Sequence, residues 1–119
     1  MSNDLVLVEH RDNIAIVTLN NPKVNALSQA VLARLHEVAR ELTANPPGAV
    51  IITGGPRLFA AGADISEFPV DGVIDNRRSE ISHEIARGFH QALNAVAAIP
   101  RFVIAAVSGF ALGGGCELA

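Results

Sequence analysis

Two short runs, Ala49 to Thr53 (AVIIT) and Phe102 to Val107 (FVIAAV), constrain this chain more than any other feature. Each is continuously apolar, rich in β-branched residues and too short for a helix, so each reads as a strand buried on both faces. Such strands belong to parallel sheets whose faces are covered by helical crossovers, and the intervening segments agree. Ser28 is placed to cap a helix running to about Ala44, with Val31, Leu35, Val38 and Leu42 on one face. Asn45-Pro46-Pro47-Gly48 ends it. A second helix is predicted from about Asp75 to Ala98, with Ile81, Ile85, Phe89, Leu93 and Val96 as its buried stripe and Arg77 and Arg78 on a solvated face. Upstream, Leu5 to His10 and Ile14 to Leu19, joined by Arg11-Asp12-Asn13, read as a hairpin. The order is hairpin, helix, strand, loop, helix, strand, glycine turn: an α/β fold with its functional candidates in the loops that leave the apolar strands.

Composition narrows the class. Half of the 119 residues are hydrophobic and 18% are charged, which excludes a disordered acidic or basic tail. No run approaches the roughly 20 apolar residues of a membrane span; the longest candidate, Phe102 to Leu112, is broken by Ser108 and Gly109. A formal charge of −3 gives no reason to expect nucleic acid or an anionic membrane as partner. One cysteine excludes an internal disulfide or a thiolate metal cluster, and Met1-Ser2-Asn3-Asp4 lacks the marks of a secretory signal. The expectation is a soluble, cytoplasmic, globular chain. It stops at Glu117-Leu118-Ala119, where a third helix should begin, and reads as truncated.

The chemistry concentrates in two loops. Arg57 to Ile65 (RLFAAGADI) is built of small residues, with Asp64 placed to cap a short helix. Gly113-Gly114-Gly115-Cys116-Glu117 opens the next helix. Small residues let backbone N–H groups approach a ligand unshielded, and the start of a helix favours negative charge. Two such loops after neighbouring strands can each aim one N–H at one oxygen, the device that stabilises an enolate or a tetrahedral anion. Glu117, one turn in, is near enough to act as general base or acid. For either loop alone, a plain tight turn explains the glycines equally well.

Other chemistries fail on residues. A dinucleotide fingerprint would need glycine where Leu118 stands, no lysine follows the glycines as in a P-loop, and there is no G-x-S-x-G elbow. Cys116 reads as a small buried residue. His10, His36, His83 and His90 are scattered with no partner at ligand spacing, so no metal is expected. Lys23 reads as a surface residue that could reach a phosphate.

Asn21 to Leu27 (NPKVNAL), Phe59 to Ile65 (FAAGADI) and Gly109 to Ala119 (GFALGGGCELA) resemble, in order and spacing, the three N-terminal signatures of the enoyl-CoA hydratase/isomerase (crotonase) superfamily. The resemblance implies a crotonase-like spiral of β-β-α units, with residues 1–119 as the N-terminal part of one domain that is truncated before its C-terminal helical part. It implies acyl-CoA thioesters as substrates, no separate cofactor, and a homotrimer or dimer of trimers at full length. By position, the backbone N–H groups of Ala63 and Gly114 would form the oxyanion hole, and Glu117 would match the first of two catalytic glutamates, the second lying beyond Ala119. Lys23, Ala26, Leu27, Ala61, Asp64, Ile65 and Ser66 would contact substrate; many hydratases carry a lysine where this chain has Ser66. The leading expectation is a trans-2-enoyl-CoA hydratase. The alternatives are a Δ3,Δ2-enoyl-CoA isomerase, another crotonase reaction, or a non-catalytic fragment or binding domain; the 119 residues alone are expected to be inactive.

Overall fold

The computed structural model describes residues 5–68 and 76–119. Met1–Asp4, where no leader is expected, and Asp75, the expected helix start, lie outside the described residues, as do the side chains of Arg77 and Arg78.

The hairpin forms as expected, with β1 at Val6–Arg11 and β2 at Ile14–Leu19, paired antiparallel from Val6 opposite Leu19 to Arg11 opposite Ile14. Arg11 is thus the last ladder residue, and the turn shrinks to Asp12 and Asn13, with φ of 48° and 68°. A two-residue hairpin turn that follows the strand twist needs positive φ at both positions, which Asp and Asn tolerate better than other side chains. Asn13 also accepts from the Gly48 N–H at 2.7 Å, tying the turn to the chain entering the next strand.

Helix α1 spans Gln29–Ala44. Ser28 caps it, accepting from the Val31 N–H at 3.2 Å, and Val31, Leu32, Leu35, Val38, Ala39 and Leu42 are its buried face. It leads to strand β4, Ala49–Thr53, which pairs parallel to β2. Helix α2, Asn76–Ala97, leads to β6, Phe102–Ala106, which pairs parallel to β4. The sheet order is β1-β2-β4-β6. Two further strands are too short for periodicity to reveal: β3, Ala26–Leu27, and β5, Gly62–Ala63, form a separate parallel pair. A short helix, α3, spans Gly114–Leu118.

The apolar strands depart from expectation in one respect. Register aligns Ala15 with Val50 and Val103, and Val17 with Ile52 and Ala105, on one face. That face is the core: Ala15, Val17, Val50 and Ile52 are buried, with Val103 and Ala105 packed against them. The opposite face carries Ile16, Ile51 and Ile104 in one row and Ile14, Ala49 and Phe102 in another. It is only half covered at β4, and at the edge strand β6 it is open, with Phe102 83% and Ile104 53% exposed. The double burial predicted for both strands is therefore corrected to single burial. Alternating side chains present two apolar faces, and the described helices pack against one. The stripe of α2 is likewise graded: Ile85 and Val96 are buried, while Ile81, Phe89 and Leu93 are partly exposed. No described helix is long and apolar enough to cross a membrane.

Candidate active site

The site forms where the three loop segments meet beyond the ends of β4 and β6. Asn25 organises the first. It holds φ of 51° and is 7% exposed, and its side chain accepts from the Asn21 N–H at 2.9 Å while donating to the carbonyls of Gly54 at 2.9 Å and Phe59 at 3.1 Å. The Ala61 N–H donates to the Val24 carbonyl at 3.0 Å, and β3 then pairs with β5, setting Ala26 opposite Gly62 and Leu27 opposite Ala63. After Ala63 the chain turns. Asp64 caps a 3₁₀ turn, Ile65–Glu67, its carboxylate accepting from the Ser66 N–H at 3.0 Å and the Ser66 hydroxyl at 2.6 Å. Glu67 in turn accepts from the Gln29 N–H at 3.0 Å, at the start of α1.

The glycine segment docks onto the second loop through backbone. Phe59 donates to Phe110 and Leu112 donates to Ala60, each at 3.0 Å, around a parallel bridge between Ala60 and Ala111. The three consecutive glycines have three separate reasons. Gly113 has φ of 52° in open space, a conformation that a side chain would strain. Gly114 lies against the Phe89 ring of α2, where a Cβ would meet Cε1 in frank overlap and Cζ at 2.8 Å. Gly115 is buried against the Ala60 carbonyl, leaving no room for a Cβ there.

The two expected N–H donors come from adjoining segments. The position a Cβ would take on Gly62 is 3.4 Å from the Gly114 nitrogen and 2.8 Å from the Leu112 oxygen. Ala63 follows Gly62, and Gly114 is the first residue of α3, where a helix leaves its N–H without an intrahelical acceptor. One turn on, Glu117 is exposed and lines a cavity of about 370 Å³ together with Phe68, Ile85, Phe89, His90 and Leu93. An open cavity with an apolar wall of Phe68, Ile85, Phe89 and Leu93, and with Ser82, His90, Asn94 and one carboxylate beside it, suits an acyl group undergoing proton transfer.

The other residues singled out sort by exposure. Lys23 is exposed before β3, Ala26 and Ala61 are half-buried, and Ile65 is 83% exposed. Ser66 is exposed with its hydroxyl engaged by Asp64. The Leu27 side chain is in the core, so only its backbone faces the loops. Cys116 is exposed, not buried as expected: α3 packs through Gly115, which turns the next residue outward. Two contributions escaped the sequence. Asn25 as an internal clasp carries a faint signal, an asparagine suited to positive φ; Phe89 against Gly114 carries none. Among the described residues no three His, Cys, Asp or Glu side chains gather to hold a metal.

The family model for enoyl-CoA hydratase/isomerase matches residues 9–119, and the chain belongs to that family. A Mycobacterium leprae protein named "Probable enoyl-CoA hydratase echA8" is 40% identical over 121 residues, covering 100% of this chain and 44% of that protein. The solved structure of an enoyl-CoA hydratase/carnitine racemase from Magnetospirillum magneticum superposes with a TM-score of 0.86 at 37% identity, covering 98% of this chain and 43% of that one. An enoyl-CoA isomerase from Mycobacterium tuberculosis superposes with a TM-score of 0.80 at 26% identity, over 97% of this chain and 47% of that one. The fold is the crotonase fold, and the chain spans less than half the length of each of these relatives.

Proposed function

We propose that the protein containing this chain is a trans-2-enoyl-CoA hydratase, which adds water across the double bond of an acyl-CoA thioester to give the 3-hydroxyacyl-CoA. The observation that carries the reading is the meeting of β5 with the first turn of α3, Gly62 against the Gly114 nitrogen, with Glu117 one turn away. In this mechanism the N–H groups of Ala63 and Gly114 donate to the thioester carbonyl oxygen. They hold its charge as the enolate forms, each donor lowering the barrier by about 2.7–4 kcal/mol. Glu117 accepts a proton from water as the water oxygen bonds to C3, and a second acid outside this chain protonates C2. Ala26, Leu27, Ala61, Asp64, Ile65 and Ser66 line the thioester and pantetheine path, with Lys23 along the CoA chain. No cofactor is needed, because acyl-CoA is itself the substrate. The working form in this reading is a cytoplasmic homotrimer or dimer of trimers, within which residues 1–119 are the N-terminal part of one domain.

A second reading is a Δ3,Δ2-enoyl-CoA isomerase, favoured by the likeness to the Mycobacterium tuberculosis isomerase. The same oxyanion hole would serve, with a proton moved between carbons and no water added. The full-length protein, given crotonyl-CoA, is expected to consume the conjugated enoyl absorbance and release 3-hydroxybutyryl-CoA. Conversion of a 3-enoyl-CoA without hydration would replace the hydratase by the isomerase. Acyl-CoA binding with neither reaction would make the protein a binding module.

A further inference from the structure

Gly114 sits under an aromatic ring that belongs to another element. The ring edge of Phe89 lies where a Cβ on Gly114 would be, with Cζ 2.8 Å and Cδ1 3.4 Å from that position. Unlike Gly113, Gly114 needs no left-handed backbone, so the demand for glycine there is set by the ring alone. Phe89 is partly buried and packed against the main core through α2. The same side chain also walls the cavity that Glu117 enters. Elsewhere α3 meets β5 at Gly62, the Ala60 backbone at Gly115 and the core at Leu118.

We infer that Phe89 is a positioning residue for the reaction. Its ring is the stop against which the first turn of α3 rests, and it sets where the Gly114 N–H points and how far Glu117 reaches into the cavity. The inference rests on the proposed use of Gly114 as an oxyanion donor. A donor aimed at the charge that develops in the transition state affects turnover more than ground-state binding. Removing the stop lets α3 shift toward α2, so the donor is misaimed while the pantetheine path along β3 and β5, away from Phe89, is untouched. Proline at position 114 is a poor probe, because its own Cβ would strike the ring as well as removing the N–H.

The test is a double-substitution cycle in the full-length protein, with kcat and KM for crotonyl-CoA measured separately and folding checked by circular dichroism. Phe89→Ala is expected to lower kcat by about tenfold or more with KM changed by less than about threefold. Phe89→Leu, which keeps apolar bulk, is expected to fall between Phe89→Ala and wild type, and supplies the same kcat-against-KM reading if Phe89→Ala does not fold. Gly114→Ala, which keeps the N–H but meets the ring, is expected to lose more than about a hundredfold in kcat/KM, and Phe89→Ala in the same chain to recover at least about tenfold of it, a coupling that independent sites would not show. A Phe89→Ala enzyme with kcat unchanged, or with only KM raised, overturns the positioning role while the oxyanion reading stands. Full activity in Gly114→Ala with Phe89 intact overturns the contact itself. A full-length protein without hydratase or isomerase turnover instead removes the reading on which the inference rests.

Discussion

The side-chain amide of Asn25 donates to the main-chain carbonyl of Phe59 at 3.1 Å, joining loops 34 residues apart in a buried position. The same amide holds the Gly54 carbonyl, and the Asn25 carbonyl oxygen holds the Asn21 N–H. One side chain thus closes the first loop on itself and fixes the second loop just before Ala60-Ala61-Gly62. An alanine there would take the side-chain donor from the buried Phe59 carbonyl and the half-buried Gly54 carbonyl, take the acceptor from the Asn21 N–H, and adopt positive φ at a cost glycine avoids. Asn25→Ala is expected to lose roughly 2–4 kcal/mol of stability. Asn25→Gly, which removes only the hydrogen bonds, should lose less. Urea denaturation of the full-length protein checks both, and wild-type stability in Asn25→Ala would refute the clasp.

Glu117 offers a test on the chemistry. Its carboxylate lines the cavity beside Phe89, and its own N–H is held by the Gly113 carbonyl at 3.1 Å, so the amide replacement keeps shape and helix. Glu117→Gln is expected to lower kcat for hydration between about 100- and 10,000-fold with KM nearly unchanged, the signature of a lost acid–base group. Steady-state kinetics with crotonyl-CoA decides; a parallel rise in KM with kcat preserved would assign Glu117 to binding.

The glycine run makes a prediction about order. At Gly115 a Cβ would press on the Ala60 carbonyl and lie 2.9 Å from the Ala60 Cβ, inside the backbone bridge between Ala60 and Ala111. At Gly113 a Cβ meets nothing, and only the φ of 52° resists it. Gly113→Ala should cost about 1–3 kcal/mol, because φ of 52° with ψ of −120° is a conformation reached almost only by glycine, and Gly115→Ala more. Thermal melts of the two variants rank them, and equal shifts would mean that the Ala60 contact carries no weight.

The open face of β6 should govern association. Phe102 and Ile104 stand exposed on an edge strand, next to Ile51 on β4. Apolar patches on unpaired edges promote edge-to-edge contact. The 119-residue chain is expected to self-associate, and Phe102→Lys with Ile104→Lys to reduce this while leaving the helical signal intact. Sedimentation velocity reads both, and an unchanged distribution would place the association elsewhere.

The elements that the sequence determined by itself are those set by neighbours in the chain. Ser28 caps α1 because a hydroxyl three residues before an N–H closes a local bond. Asp64 caps its 3₁₀ turn for the same reason, and the spacing from Val31 to Leu42 places one face in the core whatever lies opposite. The three signature segments, read in order, already identify the family, because each encodes a local backbone shape that few other sequences need.

Tertiary structure decided the rest. Whether Phe102 and Ile104 would be covered depended on a second layer that periodicity cannot announce, and the described chain leaves them open. The strands β3 and β5 exist only because Ala26-Leu27 and Gly62-Ala63 find each other across the fold. Three glycines look alike in sequence, yet one answers to its own dihedral angle, one to the ring of Phe89 and one to the carbonyl of Ala60. Contacts between residues far apart in the chain depend on the packing of whole elements, and no local pattern in the sequence records them.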